Sequence, residues 1–269
     1  YDAVMRGAAP QQSHSVSISG GGEKVDYYVN FSYLNQEGFF KKNALDYSRY
    51  NLRANLNINL AKGLNVGIKL AGMLDNRNGN STDSWEVFKN LWRSAPDDPL
   101  YANNTYPYLQ KPQSADDNPL ALIDKDLTGY KKRGKKLFTS TFDAEWELPW
   151  VKGLKVKGLF SYDTNVDDET IWNKEYKMYT YNEAGDTYAE SSRKGPTNLR
   201  RNYNTAWSTL WQASVSYDNT FGDHHVSGLL LYEEAHNVGD NFYAQRNFSI
   251  PIPYLFAGNS AEQVGSADP

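Results

Sequence analysis

The chain has 269 residues, enough for one or two domains with a sizeable core. It contains 28 Lys and Arg against 32 Asp and Glu, and its net charge of -4 argues against a nucleic-acid-binding protein, which usually has a basic excess. Cysteine is absent, which excludes disulfides, thiolate metal sites and cysteine nucleophiles. The mean hydropathy of -0.71 excludes transmembrane helices but not a membrane β-barrel, whose alternating strands keep the average low.

Alternation of apolar and polar residues is the dominant pattern along the chain. The segment 50–60 reads YNLRANLNINL, with apolar side chains at every second position from Leu52 and asparagine or arginine at all the positions between them. Successive side chains of a strand point to opposite faces, so a strand separates these two sets. Eight segments show this alternation and are predicted as strands, the first being the weakest: 14–19, 25–33, 50–60, 64–72, 138–148, 154–163, 207–218 and 225–233.

Charged residues separate the two faces of these strands. On the seven stronger strands the apolar faces provide 36 positions without Asp, Glu, Lys or Arg, whereas 11 of the 34 opposite positions are charged. A charge facing lipid costs about 2–4 kcal/mol near the bilayer midplane, so a lipid-facing surface requires this pattern. The core of a soluble β-sandwich requires it too, so alternation alone leaves both open.

The connections between the strands favour a membrane barrel. The links 20–23, 61–63, 149–153 and 219–224 are short, and they alternate with long links at 35–48, 75–136 and 164–204 and with a long tail after Glu234. In an up-and-down antiparallel sheet every short turn then lies at one end and every long loop at the other. Outer-membrane barrels have this arrangement, whereas sandwiches give no reason to sort loops by length.

Aromatic residues at strand ends agree with a membrane boundary, where the ring is buried and the polar atom stays hydrated. The residues concerned are Tyr33, Trp146, Trp150, Tyr162, Trp207, Tyr217 and Tyr232. We therefore predict an all-β, antiparallel, up-and-down transmembrane β-barrel with long extracellular loops at 75–136 and 164–204.

Two structural elements are predicted inside the long loops. A helix begins after Asp83, a predicted N-cap with Glu86 three residues on. Its aromatic residues Trp85, Phe88 and Trp92 are expected to anchor the loop on the barrel mouth, the alternative being a platform for a ligand or partner. A hairpin with a glycine-containing turn is predicted around Tyr176–Tyr188, whose tyrosines suit sugar or protein contacts or no ligand at all.

Charged segments suggest structural roles rather than catalysis. The segment GYKKRGKK at 129–136 has the spacing of a phosphate loop, but Lys136 replaces the Ser or Thr that holds magnesium, so a basic loop end is predicted. Asp143, Glu145 and Glu147 are expected to pair with Lys155 and Lys157 or to contact a plug domain. The pairs Asp97-Asp98 and Asp116-Asp117 are predicted turn residues, and His224-His225 a solvated turn rather than a metal site. Catalytic, cofactor-binding and metal-binding residues are not predicted, and ligand-binding residues remain unassigned.

Three strand segments carry motifs beyond simple alternation: QQSHSVSISGG at 11–21, KVDYYVNFSYLNQEG at 24–38 and YSRYNLRANL at 47–56. They resemble, in this order, the first barrel strand, the second strand with its exit and the third strand of the SusC/RagA family of TonB-dependent outer-membrane transporters. The segment FGDHH at 221–225, followed by an apolar strand ending in Tyr232-Glu233, is also typical. The resemblance covers nearly the whole chain, with the long loops least alike.

This resemblance implies the start of a larger barrel. Such transporters have about 22 strands around a plugged lumen, of which this chain would provide about eight. Residue 1 is Tyr and no signal peptide is found there, so we expect a segment of a longer precursor that also contains the plug. The family implies import of oligosaccharides or peptides across the outer membrane of Bacteroidetes-type bacteria. Enzymatic activity and a cofactor are not expected, because the sequence lacks catalytic and metal-binding motifs. The family also implies a SusD-like surface lipoprotein, and contact with TonB through an N-terminal part.

Two alternatives remain open at this point. A self-closed barrel of eight strands could serve as an outer-membrane anchor or adhesin, and it would require pairing between the first and last strands. A soluble carbohydrate-binding β-sandwich would require a second layer over the apolar faces.

Overall fold

A computed structural model describes residues 1–42 and 44–268 and shows an antiparallel sheet with a cap of loops at one end. Asn43, inside the predicted link 35–48, and Pro269 lie outside the described residues. The strands are β1 Gln11–Gly21, β2 Val25–Glu37, β3 Leu45–Ala61, β4 Leu64–Asn80, β5 Gly129–Glu147, β6 Leu154–Asn173, β7 Tyr176–Asn182, β8 Thr187–Arg193, β9 Asn198–Phe221, β10 His224–Asn247 and β11 Gln263–Asp268. The α-helices are α1 Ser84–Arg93, α2 Pro119–Leu122 and α3 Lys125–Thr128.

Nine strands form one sheet in the order β1-β2-β3-β4-β5-β6-β9-β10-β11, and every neighbouring pair is antiparallel. The remaining two, β7 and β8, form a separate hairpin. Short turns join the strands at one end of the sheet and long connections join them at the other, which confirms the predicted up-and-down topology. Gly63, Gly153 and Gly222 adopt positive φ values of 75°, 85° and 63° in three of these short turns, where glycine avoids steric strain.

The strands extend further toward the loops than predicted. Residues 75–80, 129–136, 164–173 and 198–204 are strand rather than loop, so the long connections are 81–128 and 174–197. The sheet also gains β11, making nine strands instead of eight. In these extensions polar residues occupy both faces, so the sequence shows no alternation there.

The apolar face of the sheet has no covering layer among the described residues. Leu230 is 75% exposed, Ile18 61% and Phe142 42%, although all three belong to the predicted apolar faces. We call this surface the outer face and the opposite, charge-bearing surface the polar face. On β5 the apolar stretch runs from Phe138 to Trp146, about the 9–11 residues that a membrane-spanning strand needs.

This geometry disfavours both alternatives from the sequence. A sandwich would cover the outer face with a second sheet, and the described residues provide none. A self-closed barrel would pair β1 with the last strand, whereas β1 and β11 are the two open edges of the sheet. In the part of the chain that the structure describes, no helix is both long and apolar enough to cross a membrane.

The main packed core lies in the loops rather than on the sheet. We call residues 1–6, 38–42, 81–128 and 174–197, together with Ala44, the loop cap. Its buried residues are Val4, Phe40, Ala44, Val87, Leu91, Leu109, Leu120, Ala121, Leu122, Ile123, Tyr176 and Met178. A smaller cluster of Trp172, Leu199 and Phe248 lies where β6, β9 and the end of β10 meet. The loop connections therefore form a folded unit above the sheet.

Candidate functional site on the polar face

A groove lies between the polar face of the sheet and the loop cap, with a volume of about 600 Å³. Phe40 and Phe88 line it from the cap, and side chains of β2 to β5 line it from the sheet. The lining residues on the sheet side are Gln36, Glu37, Leu45, Tyr47, Arg49, Asp75, Arg77, Arg133 and Lys135. A smaller cavity of about 190 Å³ adjoins it, sharing Phe40, Arg77 and Arg133 and reaching Lys131 and Glu169.

The strand register places the charged side chains in two rows across the sheet. Tyr47 lies opposite Arg77, Arg77 opposite Arg133, and Arg133 opposite Glu169. In the next row Arg49 lies opposite Asp75, Asp75 opposite Lys135, and Lys135 opposite Asp167. Directly opposite residues share a face with their Cβ atoms about 5 Å apart, so both rows face the groove.

Ion pairs connect most of these charges. The Asp75 carboxylate accepts a hydrogen bond from the Tyr47 hydroxyl at 2.7 Å and one from Arg49 Nη2 at 3.2 Å. Asp167 accepts from Arg133 Nε at 2.8 Å. Lys131 Nζ lies 2.8 Å from Glu169 Oε1, which completes a band of paired charges from β3 to β6.

The segment 129–136 is therefore not the basic loop end that the sequence suggested. It is the first part of β5, and its cations Lys131 and Arg133 face carboxylates on β6. The three consecutive acids Asp167, Asp168 and Glu169 were missed because they lie in a region predicted as loop. On the outer face Asp168 pairs with Arg201 at 2.8 Å.

Further along the polar face, toward the short turns, the predicted pairing is found in part. Lys155 Nζ lies 3.8 Å from Glu145 Oε1, as expected. Asp143 instead contacts Lys69 Nζ at 3.3 Å, across the β4–β5 pair. His225, at the start of β10, lies with Nε2 3.2 Å from Asp218 Oδ1, beside the short turn that the sequence indicated.

Helix α1 begins where the sequence predicted, but it packs by a different face. Asp83 Oδ1 accepts a hydrogen bond from Trp85 N at 2.8 Å, which confirms the N-cap. The buried apolar residues of the helix are Val87 and Leu91, one turn apart, whereas Trp85 and Trp92 are 64% and 79% exposed. The predicted anchoring is therefore wrong for Trp85 and Trp92, because the aliphatic face fits the cap core. Phe88 packs against Phe40, with the ring centres 5.2 Å apart.

The run Asp116-Asp117-Asn118 is the polar centre of the loop cap. Asp117 accepts hydrogen bonds from the Tyr176 hydroxyl at 2.6 Å and from Arg193 Nε at 2.8 Å, which ties the β7–β8 hairpin to the long loop. Asn118 is 2% exposed, caps α2 by accepting from Leu120 N, and donates to the carbonyls of Leu100 and Gln110, both at 3.0 Å. The sequence predicted ordinary turn residues here, although the Asn-Pro pair is itself a helix-start pattern.

Electrostatics at this centre favour the ionised aspartate. Burial by itself would raise the pKa of Asp117, but the hydrogen bonds from Arg193 and Tyr176 outweigh it and hold the pKa below its ordinary value. Burial and the bond to Asp117 raise the pKa of the Tyr176 hydroxyl, which stays protonated and donates. The contact is thus a charge-assisted structural bond.

The β7–β8 hairpin is confirmed, and two of its tyrosines pack against Tyr108 of the long loop. Tyr108 of the long loop stacks on Tyr188 with ring centres 4.2 Å apart and meets Tyr179 edge-on at 5.0 Å. Tyr179 N donates to the Leu109 carbonyl at 2.7 Å, and Lys111 N donates to the Tyr179 carbonyl at 2.8 Å. The hairpin is consequently a fixed part of the loop cap.

Comparisons with known proteins agree with this architecture. The chain is 24% identical to TonB-dependent receptor P3 of Formosa agariphila over 243 residues, covering 87% of this chain and 22% of that protein. TonB-dependent receptor P26 of the same bacterium is 36% identical over 77 residues, 28% of this chain and 8% of that receptor. No protein-family model matches the chain.

Solved structures show the same fold over almost the whole chain. The RagAB peptide transporter superposes with a TM-score of 0.69 at 17% identity, covering 99% of this chain and 29% of the matched chain. Its "open-open" state gives a TM-score of 0.71 at 16% identity, with the same coverage.

In sequence and in fold the chain resembles a segment of a SusC/RagA-type TonB-dependent receptor. Two of the curated receptors match most of this chain, and the chain spans about a fifth of the length of each. As in those outer-membrane proteins, the segment lies in the outer membrane of a Bacteroidetes-type bacterium. The outer face of the receptor segment is accordingly its lipid-facing surface, and the polar face with the groove is turned toward the lumen.

Proposed function

We propose that this receptor segment forms part of the wall and ligand vestibule of an importer of oligosaccharides or peptides. The observation that carries the proposal is the groove between the polar face and the loop cap, which offers aromatic, hydroxyl and charged groups at one site. A solute-binding site needs such a concave surface with a few oriented polar groups. The loop cap end of the sheet then faces the cell exterior, because outer-membrane barrels carry their long loops there.

The comparisons support import without identifying the solute. The matched structure is described as a peptide transporter, and the matched curated proteins as TonB-dependent receptors. Energy coupling to TonB would involve a part of the receptor other than this chain. A SusD-like surface lipoprotein would cover the loop cap.

Helix α1 presents different residues toward the groove and toward solvent. Phe88 lines the groove, packed on Phe40, and would contact the solute. Trp92, on the same helix, is 79% exposed and would contact the lipoprotein. An exposed tryptophan of this kind is common at protein interfaces.

Two substitutions on this helix in the full-length receptor test the proposal. Phe88→Ser should weaken binding and uptake of the solute while leaving co-purification of the lipoprotein unchanged. Trp92→Ser should reduce co-purification while leaving solute binding by the isolated receptor unchanged. Fluorescently labelled oligosaccharides and peptides, offered separately, would identify the solute class. Unchanged binding, uptake and co-purification in both variants would contradict the proposal.

A further inference from the structure

The carboxylates that line the groove and the adjoining cavity all have partners. Asp75 is bound by Arg49 and Tyr47, and Glu169 by Lys131. Of the two remaining carboxylates, Glu37 pairs with Arg6 and Asp83 caps helix α1. These acids are therefore already neutralised or used within the segment.

Arg77 differs from the other arginines of the groove. It lines both the groove and the smaller cavity, and it is exposed. Among the described residues it has no hydrogen-bonded or ion-paired carboxylate. Its direct cross-strand neighbours are Tyr47 on one side and Arg133 on the other.

Placing two arginines directly opposite each other is unfavourable, because like charges at such positions repel. Asp167 compensates the charge of Arg133 through two Nε contacts at 2.8 and 3.0 Å. Lys135, diagonal to Arg77, lies between Asp75 and Asp167, which are already bound to other groups. The groove thus holds an excess of positive charge centred on Arg77, at a position where it weakens rather than strengthens the sheet.

We propose that Arg77 is a ligand-binding residue that pairs with a carboxylate of an anionic solute, an inference that rests on the proposed import function. A guanidinium presents two parallel N–H donors that match a carboxylate, and a bound anion would relieve the repulsion from Arg133. Phe40 and Phe88 would contact the apolar surface of the same solute. The carboxylate could belong to a uronate-containing oligosaccharide or to an acidic peptide, and the experiment separates these sources.

The experiment measures dissociation constants of the detergent-solubilised full-length receptor for four probes. They are a uronate oligosaccharide, a neutral glucose oligosaccharide of equal length, a glutamate-rich peptide and its glutamine counterpart. We expect the wild-type receptor to bind one anionic probe about tenfold more tightly than its neutral counterpart, as one charge-assisted pair allows. Arg77→Gln should remove this preference, lowering the affinity for the anionic probe about tenfold more than the affinity for its neutral counterpart.

A matched control is Arg53→Gln on β3. Arg53 is exposed on the same polar face, without an ion pair among the described residues, and lies opposite Ala71 outside the groove. This control should keep the anionic preference. If Arg77→Gln does not assemble, Arg77→Lys provides the second variant, and it should keep part of the preference because lysine retains the charge but not the paired donors.

Each remaining outcome overturns the inference. A wild-type receptor that binds oligosaccharides or peptides without a charge preference leaves the proposed function intact and excludes the carboxylate site. A preference that persists in Arg77→Gln, or that Arg53→Gln removes equally, assigns the effect to other residues. A receptor that binds none of the four probes overturns the proposed function and this inference together.

Discussion

Large apolar residues have opposite surroundings in the two parts of this receptor segment. In the loop cap Leu122 and Met178 are fully buried, as in a small soluble domain. On the outer face of the sheet Leu230 and Phe142 are exposed and lie against lipid in the membrane. The comparison shows that the same residue types stabilise one part by contact with the chain and the other by contact with the bilayer.

The largest effect is expected from a cavity in the loop cap. Leu122→Ala removes a fully buried side chain and should cost about 2–5 kcal/mol of cap stability. A protease added to the full-length receptor should then cleave within 81–128. The barrel itself should stay folded, seen as a gel mobility that still changes when the sample is heated. Leu100→Ala, at a 41% exposed position of the same loop, is the control and should change little. Barrel and cap losing stability together would show that they are one cooperative unit.

A charge on the outer face should impair assembly of the barrel rather than stability of the loop cap. Phe142→Arg places a cation against the lipid and should cost about 2–4 kcal/mol, measured as loss of assembled barrel from the outer membrane. Thr141→Arg, at the preceding position of β5, faces the polar side and should assemble normally. Equal effects of the two substitutions would contradict the assignment of the faces.

The polar centre of the cap should depend on pH. Asp117→Asn weakens the contacts to Arg193 and Tyr176 and should destabilise the cap by about 2 kcal/mol. Because the folded-state pKa of Asp117 lies below its ordinary 3.8, its contribution is complete above that pH and is lost as the pH falls through the folded-state value. Hydrogen exchange of the hairpin amides should therefore accelerate in acid for the wild type. A wild type and a variant with the same pH dependence would contradict this role.

The smallest effect concerns the start of α1. Asp83→Ala removes the side-chain cap on Trp85 N and should cost about 1 kcal/mol, seen as faster exchange in the first turn of the helix. Asp97→Ala, an exposed aspartate of the same loop, serves as the control. Equal amide hydrogen exchange in both variants would show that packing within the loop cap, and not the Asp83 side chain, fixes the start of the helix.

The membrane-spanning parts of the strands could be predicted because one face must be apolar and the other can be charged. Segments such as 138–148 therefore carried a clear period of two. Above the membrane both faces meet polar surroundings, which is why residues 129–136 and 164–173 gave no strand pattern. The weak β11, only six residues long, was missed for a similar lack of alternation.

The candidate site depends on residues that are distant in the sequence. Arg77 and Arg133 are neighbours because β4 and β5 pair in a particular register across a connection of 48 residues, 81–128. Local patterns specify that each faces the polar side but not which charge lies opposite. For the same reason the pairing of Asp143 with Lys69, rather than with a lysine of β6, was not predicted.

The sequence by itself determined the lipid-facing surface, the alternation of short turns and long loops, the start of α1 and the family resemblance. The first three follow from local constraints, namely alternation, turn length and capping, that neighbouring residues satisfy on their own. The tertiary structure decided which face of α1 is buried, that Asp117 and Asn118 organise the loop cap, and that Arg77 has no carboxylate partner among the described residues. These features require the packing of segments far apart in the chain, which no local pattern specifies.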